Sequence, residues 1–161
     1  MVTPDAEVRA LRERLVSADR RLSTLPAPGS DHEPPRDPTT GEAWDRFNIL
    51  GHMAEFGTFW SSELAAALAG APQFGRAPGS TARQDAVSGG ASAGAGTLQE
   101  RIVAGVQAML ALLDRLHDDD LDRTVDMRGR GEVTVRWVME SLMVGHFEAH
   151  TDQLFELTQP S

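Results

Sequence analysis

The chain has 161 residues, 40% of them apolar and 24% charged, which is the size and balance of one soluble domain able to bury a core. A formal charge of −9 argues against nucleic acid or an anionic membrane surface as partner, because both need a basic face. There is no Cys, which removes disulfides, thiolate metal ligands and a cysteine nucleophile, and all 15 basic residues are Arg.

No apolar run approaches the roughly 18 residues of a membrane span. Residues 1–10 are charged and lack the apolar centre of a secretory signal, so a cytoplasmic location is expected. The first helix is predicted over residues 4–25. Thr3 can cap it, Pro4 suits its first position, and Asp5 and Glu7 favour the positive end of its dipole. Val8, Leu11, Leu15, Ala18, Leu22 and Leu25 recur at steps of three and four, the seam of a helix bundle. Arg9, Arg12, Glu13, Arg14 and Arg20 on the other face are read as solvated charge.

Residues 26–41 hold five prolines and no periodicity, and read as a linker. Asp31, His32 and Glu33 within it are read as a solvated turn, since a proline-flanked loop offers no fixed ligand geometry. The second helix is predicted over residues 45–69, with Asp45 as N-cap and Trp44 placed to pack on Ile49. Ile49, Met53, Phe56, Trp60, Leu64 and Ala67 form its stripe, and Phe47, Leu50 and Phe59 widen it. His52 lies on that buried side, with Glu55 three residues on.

Residues 70–96, rich in Gly, Ala and Ser, read as a long, flexible, irregular connection. Residues 72–76, which include Phe74, are the part expected to be anchored. Arg76 and Arg83 are possible anion contacts. The third helix is predicted to open on a capping box of Thr97 and Glu100 and to stop near His117. Leu98, Ile102, Val106, Met109, Leu113 and Leu116 make its seam, and Asp118, Asp119 and Asp120 would oppose the dipole of any continuation. A turn at Gly129 and Gly131 follows. No strand is predicted, although residues 132–135 could pair briefly.

The fourth helix is predicted over residues 134–157, capped by Thr134. Val135, Val138, Leu142, His146, Ala149, Gln153 and Leu157 mark a continuous stripe. It places His146 on the buried face, with His150 one turn further at its edge. Two imidazoles at i and i+4 project side by side.

Four amphipathic helices predict an all-α fold, a four-helix bundle spanning residues 1–161 as one domain. His52 lies seven residues beyond its N-cap, about 10 Å along the axis. His150 lies at a similar depth from the far end of the fourth helix. The three histidines share a level only if the second and fourth helices are antiparallel. The long link over residues 70–96 permits the crossover this requires, giving up-down-down-up topology. His52, His146 and His150 then surround one point. Three imidazoles with an open position describe a catalytic metal site more than a closed structural one, and zinc, nickel or ferrous iron would all suit. A diiron carboxylate centre would need two Glu-x-x-His pairs, which are absent from the sequence. The competing reading of each histidine is a core residue bonded to a neighbour, and it needs a separate partner for each of the three.

Trp44 followed by "ILGHMAEF" over residues 49–56, the "QFGR" over 73–76 and "VGHFEAHTDQL" over 144–154 resemble the signature segments of the DinB/YfiT-like superfamily. The resemblance implies an up-down-down-up four-helix bundle, often a homodimer, with a divalent metal on His52, His146 and His150. It further implies kinship with mycothiol-dependent maleylpyruvate isomerase and bacillithiol transferases, in which the metal activates a small thiol. A thiol-dependent S-transferase or isomerase taking mycothiol or a similar thiol is the function expected. A bundle that binds metal without turnover and a metal-dependent hydrolase are the alternatives. Glu55 and Glu148 are candidates to orient a ligand imidazole or move a proton, with outward salt bridges as their competing use. Arg83, Arg130 and Gln153 are candidates for substrate contact, at a mouth near Trp44, Phe47 and Asn48.

Overall fold

The structure, a computed structural model, describes residues 5–160. Thr3 and Pro4, expected to open the first helix, lie outside the described residues. In chain order the elements are α1 (Ala6–Leu22), α2 (Arg46–Leu68), α3 (Ala82–Ser88), α4 (Gly90–Ala93) and α5 (Ala95–Leu113). A 3-10 turn (Asp118–Asp122), strands β1 (Thr124–Met127) and β2 (Gly131–Thr134), α6 (Val135–Val138), a π-turn (Met139–Met143) and α7 (Val144–Thr158) follow. The chain is mostly helical, as its seams require. Among the described residues no helix is long and apolar enough to cross a membrane.

Helix α1 buries the expected Val8, Leu11, Leu15 and Ala18 and ends at Leu22, short of Leu25. Its cap comes from far along the chain. The amides of Glu7 and Val8 donate to the Asp118 carboxylate at 3.1 and 2.9 Å. The Asp5 carboxylate accepts from the Asp118 amide at 3.1 Å in return. Asp118, the first of the three aspartates that would oppose a continued α5, therefore serves the free amides and positive dipole of α1. Arg12, Arg14 and Arg21 of α1 are paired as well as wet. Arg12 meets Asp114 at 2.9 Å, and Arg14 holds both Glu140 and Glu148 at 2.6 Å. Arg136 pairs with Glu7, and Arg21 with Asp152.

Asp45 caps α2 as expected. Its side chain accepts from the Asn48 amide at 2.9 Å, and Asn48 reciprocates at 3.1 Å. The α2 stripe is buried at Ile49, Met53, Phe56, Trp60 and Leu64. Gly57 lies against Gly105 of α5. The 70–96 connection is not the irregular link expected, since it carries α3 and α4. These pack on α2 at Gly51, where a Cβ would stand 2.2 Å from the Ala86 carbonyl oxygen. Small residues that look like flexible linker in the sequence are here the condition for close packing.

Phe74 is fully buried, and its amide donates to Asp126 of β1 at 3.0 Å. The anchored reading of residues 72–76 holds. Helix α5 begins at Ala95 with Gly94 before it, so Thr97 and Glu100 do not form the expected capping box. Its seam is buried at every expected position through Leu113, and Leu116 beyond the helix is buried too. Two short strands replace the loop expected before the last helix. They pair antiparallel, with Val125 opposite Val133. Thr134 caps α6, its hydroxyl accepting from the Trp137 amide at 3.1 Å. The last helix is not continuous, because the π-turn divides it.

Candidate metal centre

His52 projects from α2, and His146 and His150 from α7. The Nε2 atoms of His52 and His146 lie 2.9 Å apart, and those of His150 and His146 lie 3.1 Å apart. All three ligand atoms fall within 4.8 Å of one another. His52 is buried and the other two are half-buried. The predicted convergence is therefore present. The stripe that located it was displaced by one residue, however. Phe147, Thr151 and Leu154 take the inward positions, while Ala149 is exposed.

Burial pushes the His52 imidazole down to about 2 and that of His146 down to about 4, and it lowers His150 as well. The positive charge of Arg83 acts in the same direction on all three. The rings are neutral at neutral pH, and each has a nitrogen lone pair to offer. His150 Nδ1 lies 2.9 Å from Gln153 Oε1. An amide oxygen only accepts, so Nδ1 carries the hydrogen and the lone pair of Nε2 faces its neighbours. His52 Nδ1 is buried without a hydrogen-bond partner.

This donor set fits a divalent ion. One imidazole hydrogen at most can serve the two contacts at His146 Nε2, so hydrogen bonding leaves the cluster incompletely satisfied. A cation accepts all three lone pairs at once. Imidazole nitrogens about 2.0 Å from a tetrahedral zinc lie about 3.3 Å from one another, a spacing the present cluster reaches with small side-chain adjustments. Aromatic walls surround it. Trp44 stands edge-on to His52 at 5.3 Å between ring centres and stacks on His150 at 6.0 Å, and Phe56 meets His146 at 4.9 Å.

His150 opens onto a cleft of about 450 Å³ lined by Trp44, Arg83 and Gln153 on one side and by residues 35–42 on the other. Trp44 and Gln153 thus stand where the sequence places the mouth. Asn48 turns away to donate to the Val87 carbonyl at 2.9 Å. Residues 35–42 form the outer wall, and the strap over residues 26–42 is irregular and largely exposed, as a linker is, but it is tied down at two points. Asp31 accepts from Arg46 at 2.8 and 2.6 Å, and that guanidinium, only 7% exposed, also reaches the Pro26 carbonyl. The His32 amide donates to Leu157 at 2.8 Å. In the sequence Arg46 is an ordinary first-turn residue, and nothing there marks it as the anchor. Its partner could not be read from spacing.

The remaining candidates are dispersed. Arg83 lies 5.0 Å over the Trp44 ring and has no carboxylate partner among the described residues. Arg130 lies in the hairpin turn, 4.2 Å over the Trp137 ring. Both Glu55 oxygens are taken by Arg76 at 2.7 Å. Glu148 is taken by Arg14. Both glutamates therefore serve the salt-bridge use.

Neither a curated protein nor a solved structure matches the chain significantly. The family model of the DinB superfamily matches residues 10–154, a span that contains all three histidines, the strap and the π-turn. On that match, the chain belongs to the DinB superfamily.

Proposed function

We propose that this protein holds one divalent ion on His52, His146 and His150 and acts as a thiol-dependent S-transferase or isomerase, taking a low-molecular-weight thiol of the mycothiol type. The observation that carries the reading is the convergence of three neutral imidazole nitrogens beside an open cleft. Zinc, nickel and ferrous iron all suit such ligands. When bound, the ion would lower the pKa of a thiol from about 8.5, so that thiolate is present at neutral pH.

The chain's own residues supply the rest. Gln153 fixes the His150 ring through Nδ1. Phe56 closes the inner side of the cluster against water, and Trp44 walls it on the cleft side. Arg83 has no carboxylate partner among the described residues and offers its charge to an anionic thiol or substrate entering the cleft. With no Cys in the sequence, the thiol must come from outside.

The same reading includes the up-down-down-up arrangement of α1, α2, α5 and the α6–α7 segment. Three sets of contacts support it. Residues 7, 14 and 21 pair with 136, 140 and 152 in ascending order. Leu50 shares a groove with Leu98, while Leu68 shares one with Leu116. Trp44 meets His150 whereas Phe56 meets His146.

Metal analysis of the purified protein, followed by thiol titration of its cobalt form, tests the proposal. About one ion per chain is expected, with a thiolate-to-cobalt charge-transfer band on adding mycothiol or cysteine. His146→Ala should lose the ion. Full stoichiometry in His146→Ala would overturn the ligand assignment. Retained cobalt with no band at millimolar thiol would replace the thiol reading with metal binding without turnover.

A further inference from the structure

The last helix contains one residue more than its packing can use. From Val135, Val138 and Met139, a regular helix would carry Leu142, His146, Ala149 and Gln153 inward at 3.6 residues per turn. The inward residues are instead Met143, Phe147, Thr151 and Leu154. The offset is one residue, about 100° of rotation. It arises in the π-turn, where the Val144 amide reaches the Met139 carbonyl five residues back. Met143, at φ −126° and ψ −98°, marks the break.

Gly145 lies two residues beyond it. A Cβ there would stand 2.1 Å from the Glu140 carbonyl oxygen and 3.0 Å from the carbonyl carbon. Both are backbone atoms and cannot swing aside. Arg14 brackets the turn from outside, gripping Glu140 within it and Glu148 beyond it.

We infer that the π-turn and Gly145 position the metal-ligand face: the surplus residue turns Phe147 into the core, and His146 and His150 thereby face His52. Without the offset, His146 would occupy the inward place of Phe147, and His150 would rotate away with it. Single-turn π segments are uncommon and cost regular helix bonds, so one kept beside a ligand pair has a positional use. Gly145 is a positioning residue. It touches no substrate and acts through the direction of the two rings.

The functional meaning of this inference rests on the proposed metal site, but its geometry does not. The test compares Gly145→Ala, deletion of Leu142, and the two combined. Removing one residue from the turn lets an unbroken α-helix carry Val138 and Phe147 on one face, so Ala at 145 then meets no carbonyl. Expected are a metal affinity about tenfold or more weaker in Gly145→Ala, retained affinity in the deletion, and recovery in the double variant. A glycine needed only for its small volume would not be rescued by a deletion three residues away. Wild-type affinity in Gly145→Ala, or a double variant that binds no better than the single one, overturns the inference. If the wild-type protein itself binds no metal, the proposed function fails alone. NMR contacts between the His52 and His146 rings in the metal-free protein then decide the positioning claim, being lost in Gly145→Ala and restored in the double variant, with the opposite result overturning it.

Discussion

Replacing Gly51 with Ala should loosen one side of the cleft while leaving the protein folded. A Cβ at residue 51 would lie 2.2 Å from the Ala86 carbonyl oxygen and 3.1 Å from the Gly90 Cα. Ordinary contact distance is about 3.5 Å, so either α2 or α3 must withdraw by about 1 Å. Helix α2 is fixed by Ile49, Met53 and Phe56 around the substitution, whereas α3 contains no buried residue, so α3 gives way. Overpacking costs about 1–3 kcal/mol. Ala in place of Gly within a helix returns about 1 kcal/mol. The net loss is about 0–2 kcal/mol, a modest shift of the urea midpoint. The local effect is larger. Amides over residues 82–93 should exchange faster, and Arg83 should leave the Trp44 ring, now 5.0 Å away. Hydrogen exchange on peptides covering that segment, with Trp fluorescence alongside urea unfolding, reads both. Wild-type exchange over 82–93 with unchanged stability would refute the packing argument.

Gln153→Leu removes the acceptor for His150 Nδ1, so metal affinity should fall about 10–100-fold in competition with a chelator, while the fold, in which Gln153 is only half-buried, is retained. Equal affinity would show that the Gln153 contact does not orient the ring. The metal-free protein should lose stability as pH falls below about 6.5. Burial depresses His52 and His146 in the folded state, so the unfolded chain takes up protons first, and the loss continues toward about 4 for His146 and about 2 for His52. Each histidine contributes a slope of up to about 1.4 kcal/mol per pH unit, so urea unfolding at pH 7 and pH 5 should differ by about 2–4 kcal/mol. The exposed His117, raised by the Asp5 carboxylate, works in the opposite direction and only weakly. Equal stability at the two pH values would contradict the burial of neutral rings.

The histidine cluster was legible because its signal is local. Two residues at i and i+4 define one face, and the His52 face follows from Ile49 and Phe56. The caps at Asp45 and Thr134 were legible for the same reason. What the sequence hid depends on partners distant in the chain or on a change of period. Asp118 caps a helix 110 residues earlier, and nothing near it in the sequence says so. Arg46 looks like an ordinary first-turn residue until Asp31 and Pro26 are folded onto it. Residues 82–93 carry no apolar stripe, and their helices form by close approach at Gly51 and Gly90. The π-turn is hidden in the sequence because Leu142 and Met143 are both apolar, so either period fits the pattern across the break. His146 and His150 share one face at either period, so their pairing was legible without the π-turn, whereas the direction of that face toward His52 depends on it.

The strap suggests how relatives of this chain could diverge. Between its anchor at Asp31 and the aromatic Trp44, residues 33–42 contain no buried residue, yet they form the outer wall before His150. Their length and composition can drift without repacking the core or moving a ligand. On the proposed function, selectivity and chemistry would be encoded in separable stretches of one gene: a short exposed segment that mutation can rewrite freely, and a helix pair that it cannot. Exchanging residues 33–42 between members of the superfamily would therefore transplant preference for the incoming molecule while leaving the metal centre as it was.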